Sequence, residues 1–189
     1  MTKLISKTKQ LFKLCQTVKR ISTYEMFPGS LFNIIAENNA LYYQTFGTEK
    51  KMQLPVVGDG VFANPNLPIS YFVFANNTCT FHIADFNYPS KRVNLSPPNP
   101  NEINLGKFLG RYKNVELNTE YELLIKDNKL IVQHSFNHAI MLHPLTKNTF
   151  YSDEGFFGKL IFLKDKNSKT TGFTLSGQNL YNLQFIKIK

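Results

Sequence analysis

Two stretches, NIIAENNALYYQ at residues 33–44 and ELLIKDNKLIVQ at residues 122–133, repeat one pattern at an offset of 89 (122 minus 33). Each begins with an apolar run, reaches a polar turn that contains Asn39 or Asn128, and continues with a second apolar run. Two such runs joined by a short Asn-containing turn are typical of a β-hairpin. The repeat therefore predicts that one hairpin occurs twice along the chain.

The similarity continues beyond this hairpin. The offset drifts, which places small insertions in loops, where they cost little stability. The later pairs are Leu54 with Leu142, Phe62 with Phe150 and Phe74 with Phe162 at an offset of 88, and Phe81 with Phe173 at an offset of 92. With 17 Phe, 9 Tyr and no Trp, the composition also favours strands. We expect a mainly β chain that folds as two tandem small antiparallel β-barrels.

The boundaries follow from composition. Three prolines within residues 97–100 cannot continue a sheet, so they mark a connector. We predict β-barrel unit one at 24–95, a Pro-rich connector at 96–104 and β-barrel unit two at 105–189. Residues 1–23 are predicted to form one basic amphipathic α-helix, because Leu4, Leu11 and Val18 recur at helical spacing.

The net charge of +9 is concentrated in that first segment. Residues 1–23 hold six Lys and Arg and no acidic residue, which leaves +3 for the other 166 residues. The charge is therefore poor evidence for nucleic-acid binding, and no nucleic-acid partner is expected. The helix could pack on the body, bind a membrane surface or an acidic partner, or act as an organelle presequence.

The apolar runs are short. None approaches the about 18–20 residues that a membrane-spanning helix needs, and lysines interrupt the start of the chain, where a Sec-type signal peptide would need an apolar stretch of about 7–15 residues. We therefore predict no transmembrane segment and a cytoplasmic location. Organelle targeting and non-classical export stay open. The two cysteines, Cys15 and Cys79, suggest no disulfide framework.

Unit two has a further pattern: GRY at 110–112, EL at 116–117, LHPL at 142–145, TF at 149–150, TGFTLS at 171–176 and a closing Phe185. This order resembles the C-terminal lipocalin-like β-barrel domain of beta-lactamase-like, penicillin-binding-protein-like serine hydrolases. The resemblance spans residues 107–188, and it reaches unit one only through the internal repeat. An equivalent of the GRY opening is not evident in unit one.

The resemblance implies a domain without catalytic residues that serves in oligomerisation, in regulating a hydrolase site or in holding a substrate near it. Here the domain occurs twice, without the catalytic domain. We therefore expect a non-enzymatic binding or assembly module that acts through contact with another protein or through self-association. The alternative is a carrier of a small apolar ligand, and a degenerate serine hydrolase is the third hypothesis.

The hydrolase hypothesis depends on three short motifs. Enzymes of this type use Ser-x-x-Lys, Tyr-x-Asn and Lys-Thr-Gly, and the chain offers Ser6 with Lys9, Tyr112 with Asn114, and Lys169 followed by Thr-Thr-Gly. The last motif has an extra Thr, and Tyr112 already belongs to the barrel pattern. We expect no catalytic residue and no enzyme activity.

The sequence also contains candidate residues for a metal site and for an apolar ligand site. Zinc sites use His and carboxylate ligands, but unit one has no counterpart of the histidines in unit two, so we expect no metal and no cofactor. The residues concerned are His134, His138 and His143, with Asp153 and Glu154 nearby. A small apolar ligand inside unit two would contact residues on the inward face of its strands. Those candidates are Tyr121, Leu123, Ile125, Leu142, Phe150, Phe162 and Phe173.

Overall fold

The structure, a computed structural model, describes residues 21–75, 78–99, 102–134, 137–152 and 154–188. Its described part divides into two compact units. Residues 21–27 and 31–94 form unit one, and residues 28–30 group with those after 94 in unit two. Residues 94–99 have no regular secondary structure.

Unit one is a nine-stranded antiparallel sheet that curls into a nearly closed barrel. Its order is β4-β3-β2-β1-β9-β8-β7-β6-β5, so the first strand pairs with the last. The strands are β1 (Ile21–Glu25), β2 (Leu31–Glu37), β3 (Ala40–Thr45), β4 (Lys51–Leu54), β5 (Val56–Gly58), β6 (Val61–Ala63), β7 (Ser70–Ala75), β8 (Thr78–Ile83) and β9 (Phe86–Val93).

Unit two is a closed eight-stranded barrel in which β10 pairs with β17. Its strands are β10 (Gly110–Asn114), β11 (Thr119–Lys126), β12 (Lys129–His134), β13 (Asn137–Pro144), β14 (Thr149–Tyr151), β15 (Lys159–Lys164), β16 (Thr170–Gly177) and β17 (Leu180–Lys187). Short 3-10 helices lie at Leu105–Phe108 and Gly155–Phe157. The predicted mainly β fold with two barrels is confirmed.

The strand pairing gives a residue-by-residue correspondence between the units. Leu41 faces Leu54 as Leu130 faces Leu142, and the same four residues were paired by the sequence repeat. The one difference in strand count arises at Pro55. This residue separates β4 from β5, whereas β13 runs unbroken through His143, the corresponding position. Proline has no N–H to donate to a sheet, which explains the break.

The prediction of a helix over residues 1–23 needs correction at its end. Residues 1–20 lie outside the described residues, but Ile21, Ser22 and Thr23 belong to β1. Over so few residues an apolar pattern fits a period of 2 as well as 3.6, and pairing with both β2 and β9 makes this segment a strand. β1 also supplies the missing counterpart of the GRY opening. Tyr24 faces Arg92 as Tyr112 faces Lys187.

The offset of 92 between Phe81 and Phe173 is also corrected. Phe74 faces Cys79 in unit one, and Phe162 faces Phe173 in unit two. Since Phe74 corresponds to Phe162, Phe173 corresponds to Cys79, at an offset of 94. The spacing from Phe162 to Phe173 is therefore six residues longer than that from Phe74 to Cys79 (94 minus 88), rather than four, and the turn and the strand ends beside it share this difference.

Candidate functional site

Most of the predicted ligand residues of unit two lie in a filled interior. Five of them are at most 4% exposed and belong to one hydrophobic cluster: Leu123, Leu142, Phe150, Phe162 and Phe173. Tyr121 is half-buried and packs against this cluster. Ile125, next to the β11–β12 turn, is 43% exposed. Ligand binding by these residues stays a prediction, and the five buried side chains pack against one another and the rest of the cluster.

The two 3-10 helices help to fill this interior. Phe108 stacks on Phe162 with ring centroids 4.1 Å apart, and Phe157 meets Tyr121 edge-on at 5.1 Å. Both Phe108 and Phe157 are fully buried. The sequence patterns did not identify either residue as part of the core, because both come from segments outside the strands.

Unit one contains a pocket at one end of its barrel. Its volume is about 400 Å³, at the lower end of the about 300–1,000 Å³ usual for small-molecule sites. Strands β3, β4, β7 and β8 and the loops beside them form it. The lining residues are Met26, Tyr43, Thr45, Thr48, Lys50, Lys51, Met52, Asn64, Asn66, Phe72 and Phe81. The sequence-based candidates did not include them.

The apolar wall of the unit-one pocket is largely aromatic. Tyr43 and Phe72 have ring centroids 5.6 Å apart, and Phe72 and Phe81 lie 4.9 Å apart. Phe32 supports this row from within the core, 5.4 Å from Tyr43. Met26 and Met52 pack beside the cluster and add polarisable surface.

The rim of the pocket is polar and contains lysines. Thr48 donates from its hydroxyl to the Thr45 carbonyl at 2.9 Å, and the Asn66 backbone N–H donates to Asn64 Oδ1 at 3.0 Å. Lys51 Nζ lies 2.5 Å from Glu37 Oε2, so this ammonium group already forms an ion pair. The lining residues include two lysines and no Asp or Glu.

The loop at this end of the barrel differs between the units. Phe62 faces Phe72 in unit one and Phe150 faces Leu160 in unit two, so loops 64–70 and 152–158 have equal length and correspond at an offset of 88. Both close with the same backbone bond, from Asn64 N to Ser70 O and from Ser152 N to Gly158 O. At this offset Ile69 corresponds to Phe157.

The two corresponding side chains have opposite environments. Phe157 is fully buried in unit two, whereas Ile69 is 62% exposed in unit one. Ser152 Oγ donates to the Phe157 carbonyl and so ties the loop of unit two over its barrel end. In unit one, prolines occupy positions 65 and 68 of the loop. The unit-one pocket opens at the end of the barrel where unit two places Phe157.

The residues of the hydrolase motifs have structural roles where they are described. The Tyr112 hydroxyl donates to the Phe108 carbonyl at 2.7 Å, and burial raises the pKa of Tyr112 well above its usual value. Asn114 bonds the Gln184 carbonyl through Nδ2 and the Leu117 N–H through Oδ1. Ser6 and Lys9 lie outside the described residues.

The metal hypothesis rested on histidines and carboxylates. His138 Nε2 lies 2.8 Å from Glu154 Oε1, and Tyr121 and Tyr151 make ring contacts with His134 and His143, respectively. Within the described ranges, no group of three or more His, Cys, Asp or Glu is placed to hold a metal ion. Asp153 lies outside them.

No protein-family model matches the chain, and no curated protein matches its sequence. Among the described residues, no helix has the length and apolar character that a membrane crossing requires. The resemblance of unit two to the tail domain of serine hydrolases therefore stays a prediction.

Proposed function

We propose that this chain is a non-enzymatic binding protein that takes a small, mainly apolar ligand into the unit-one pocket. One observation carries the proposal. Segments 64–70 and 152–158 correspond in register, yet the second buries Phe157 in the core of unit two, whereas the first leaves Ile69 exposed and contributes Asn64 and Asn66 to a pocket of about 400 Å³.

Physical chemistry supports a ligand in this place. Aromatic and Met side chains left open to water gain free energy when an apolar group covers them, by about 25 cal/mol per Å². A few polar groups at the rim can orient the bound molecule. Unit two, with its filled interior, would serve as a structural partner or protein-binding module, in keeping with the non-catalytic role that the resemblance implies.

The test is a fluorescence titration with N-phenyl-1-naphthylamine, a neutral aromatic probe. We expect one saturable site per chain. Thr45→Phe places a ring in the pocket and should weaken binding at least tenfold. Thr80→Phe is the matched control, because Thr80 follows the fully buried Cys79 on β8 and so faces the other side of the sheet. Absence of saturable binding, or equal affinity in both variants, would overturn the proposal.

A second candidate function, assembly through protein contact, is favoured by a hollow of about 320 Å³ on unit two. Leu117 and Phe156 line it and are 59% and 50% exposed, and exposed apolar patches of this kind often mark interaction sites. Light scattering should then detect concentration-dependent oligomers that Phe156→Lys abolishes. A monomer at every concentration would remove self-association.

A further inference from the structure

We infer that the ligand of the unit-one pocket is a planar aromatic anion whose ring takes the place of Phe157 and whose acidic group takes the place of Glu154 in unit two. The inference rests on the proposed function and names the chemical class of the ligand. It follows from two pairs of corresponding positions at the same barrel end.

The first pair concerns charge. In unit two, His138 and Glu154 meet at 2.8 Å. Met52 faces Tyr43 as Ile140 faces Val132, so the offset of 88 matches Lys50, the residue before β4, with His138, which lies at a register shift in the β12–β13 pairing. Along the loop, Asn66 matches Glu154. Unit one therefore has a lysine where unit two has His138, and an amide where unit two has the Glu154 carboxylate.

Lys50 and Asn66 both line the unit-one pocket. Lys51, the other lysine there, already has Glu37 as its partner. A ligand acid group beside Lys50 and Asn66 would supply the carboxylate-type partner that His138 has in Glu154 of unit two. Charge-assisted hydrogen bonds of this kind are about twice as strong as neutral ones.

The second pair concerns the ring. Phe157 lies three residues after Glu154, so the loop before β15 supplies both a carboxylate and a phenyl ring in unit two. In unit one neither is present, since Asn66 is neutral and Ile69 is exposed. Tyr43, Phe72 and Phe81 instead form a row of contacting rings in the pocket wall, and an aromatic partner can extend such a row by offset or edge-to-face contact.

The experiment compares two probes with one skeleton. 8-Anilino-1-naphthalenesulfonate is N-phenyl-1-naphthylamine with an added sulfonate, so their affinity ratio isolates the charge. At pH 7 and low salt we expect the sulfonate to bind at least fivefold more tightly than the neutral probe. This preference should shrink as salt is added, because salt screens the charge.

Variants locate the preference. Asn66→Glu installs the unit-two carboxylate beside Lys50 and should weaken sulfonate binding at least tenfold while leaving the neutral probe within twofold. Asn87→Glu, at an exposed position of β9 outside the pocket, is the charge-matched control and should change neither affinity. Lys50→Gln should equalise the two probes, and Lys129→Gln on unit two should not.

The outcomes separate the two proposals. Equal affinities of both probes in the unaltered protein would contradict an anionic ligand but would leave the proposed binding pocket intact. A preference that survives both Lys50→Gln and Asn66→Glu would overturn the role given to these positions. Failure of both probes to bind at one site would instead overturn the proposed function itself.

Discussion

At the scale of single residues, two buried serines of unit one differ in the hydrogen bonding of their hydroxyl groups. Ser70 and Ser90 are 2% and 3% exposed. Ser70 Oγ donates to the Leu67 carbonyl at 2.9 Å, whereas Ser90 Oγ has no hydrogen-bond partner in the described part of the chain. Ser90 faces Cys79 as Phe185 faces Phe173, so its position corresponds to that of a buried ring in unit two.

Replacing these serines should change stability in opposite directions. Ser90→Ala removes a buried hydroxyl that lacks a partner and should raise the free energy of unfolding by up to about 1 kcal/mol. Ser70→Ala removes a satisfied bond and should lower it by about 1 kcal/mol. Urea unfolding followed by circular dichroism measures both, and an equal loss in the two variants would contradict the assignment of Ser90 as unsatisfied.

At the scale of elements, the loop between β6 and β7 and the loop between β14 and β15 decide what fills each barrel end. They have the same length and the same closing backbone bond. They differ in the burial of the corresponding side chains, because Phe157 is buried and Ile69 is exposed.

Truncating the two corresponding side chains should reveal this difference. Phe157→Ala removes a fully buried ring and should lower the free energy of unfolding by about 3–5 kcal/mol. Ile69→Ala should stay within about 0.5 kcal/mol, because Ile69 is mostly exposed. Denaturant unfolding at pH 7 compares them. Comparable losses would mean that Ile69 closes its barrel in solution as Phe157 does.

The sequence predicted those elements that depend on the conformational preferences of neighbouring residues. Asn38 and Asn39, like Asp127 and Asn128, have positive φ between 49° and 60°, a conformation that Asn and Asp tolerate better than most residues. These turns fixed the hairpins and, through the repeat, the barrels. β1 was missed because its strand pairing includes β9, which lies far from it in the chain, as well as β2.

The site was harder to predict than the fold. Alternation placed Leu123 on the correct inward face of β11, but whether a barrel is hollow depends on side chains that enter from outside the strands, such as Phe108 and Phe157. Aligning the loops at an offset of 88 matches Ile69 with Phe157. No local sequence pattern predicts that Ile69 is exposed while Phe157 is buried, because the direction of each side chain depends on the backbone path of its loop.

At the scale of the whole molecule, each unit has a hydrophobic cluster of its own. One cluster draws only on unit one and contains Ile34, and the other draws only on unit two and contains Leu123. These two residues correspond in the repeat, and both are fully buried. The duplicated barrel therefore provides two copies of one core position in one chain.

Because the cores are separate, a core defect should act mainly on its own unit. Ile34→Ala and Leu123→Ala should each lower the stability of that unit by about 2–5 kcal/mol. The chain has no Trp, so Tyr43→Trp reports on unit one and Tyr121→Trp on unit two. We expect Ile34→Ala to shift the urea midpoint reported by Trp at 43 and Leu123→Ala to shift that reported by Trp at 121. Equal shifts of both reporters would instead mean that the two barrels unfold as one cooperative body.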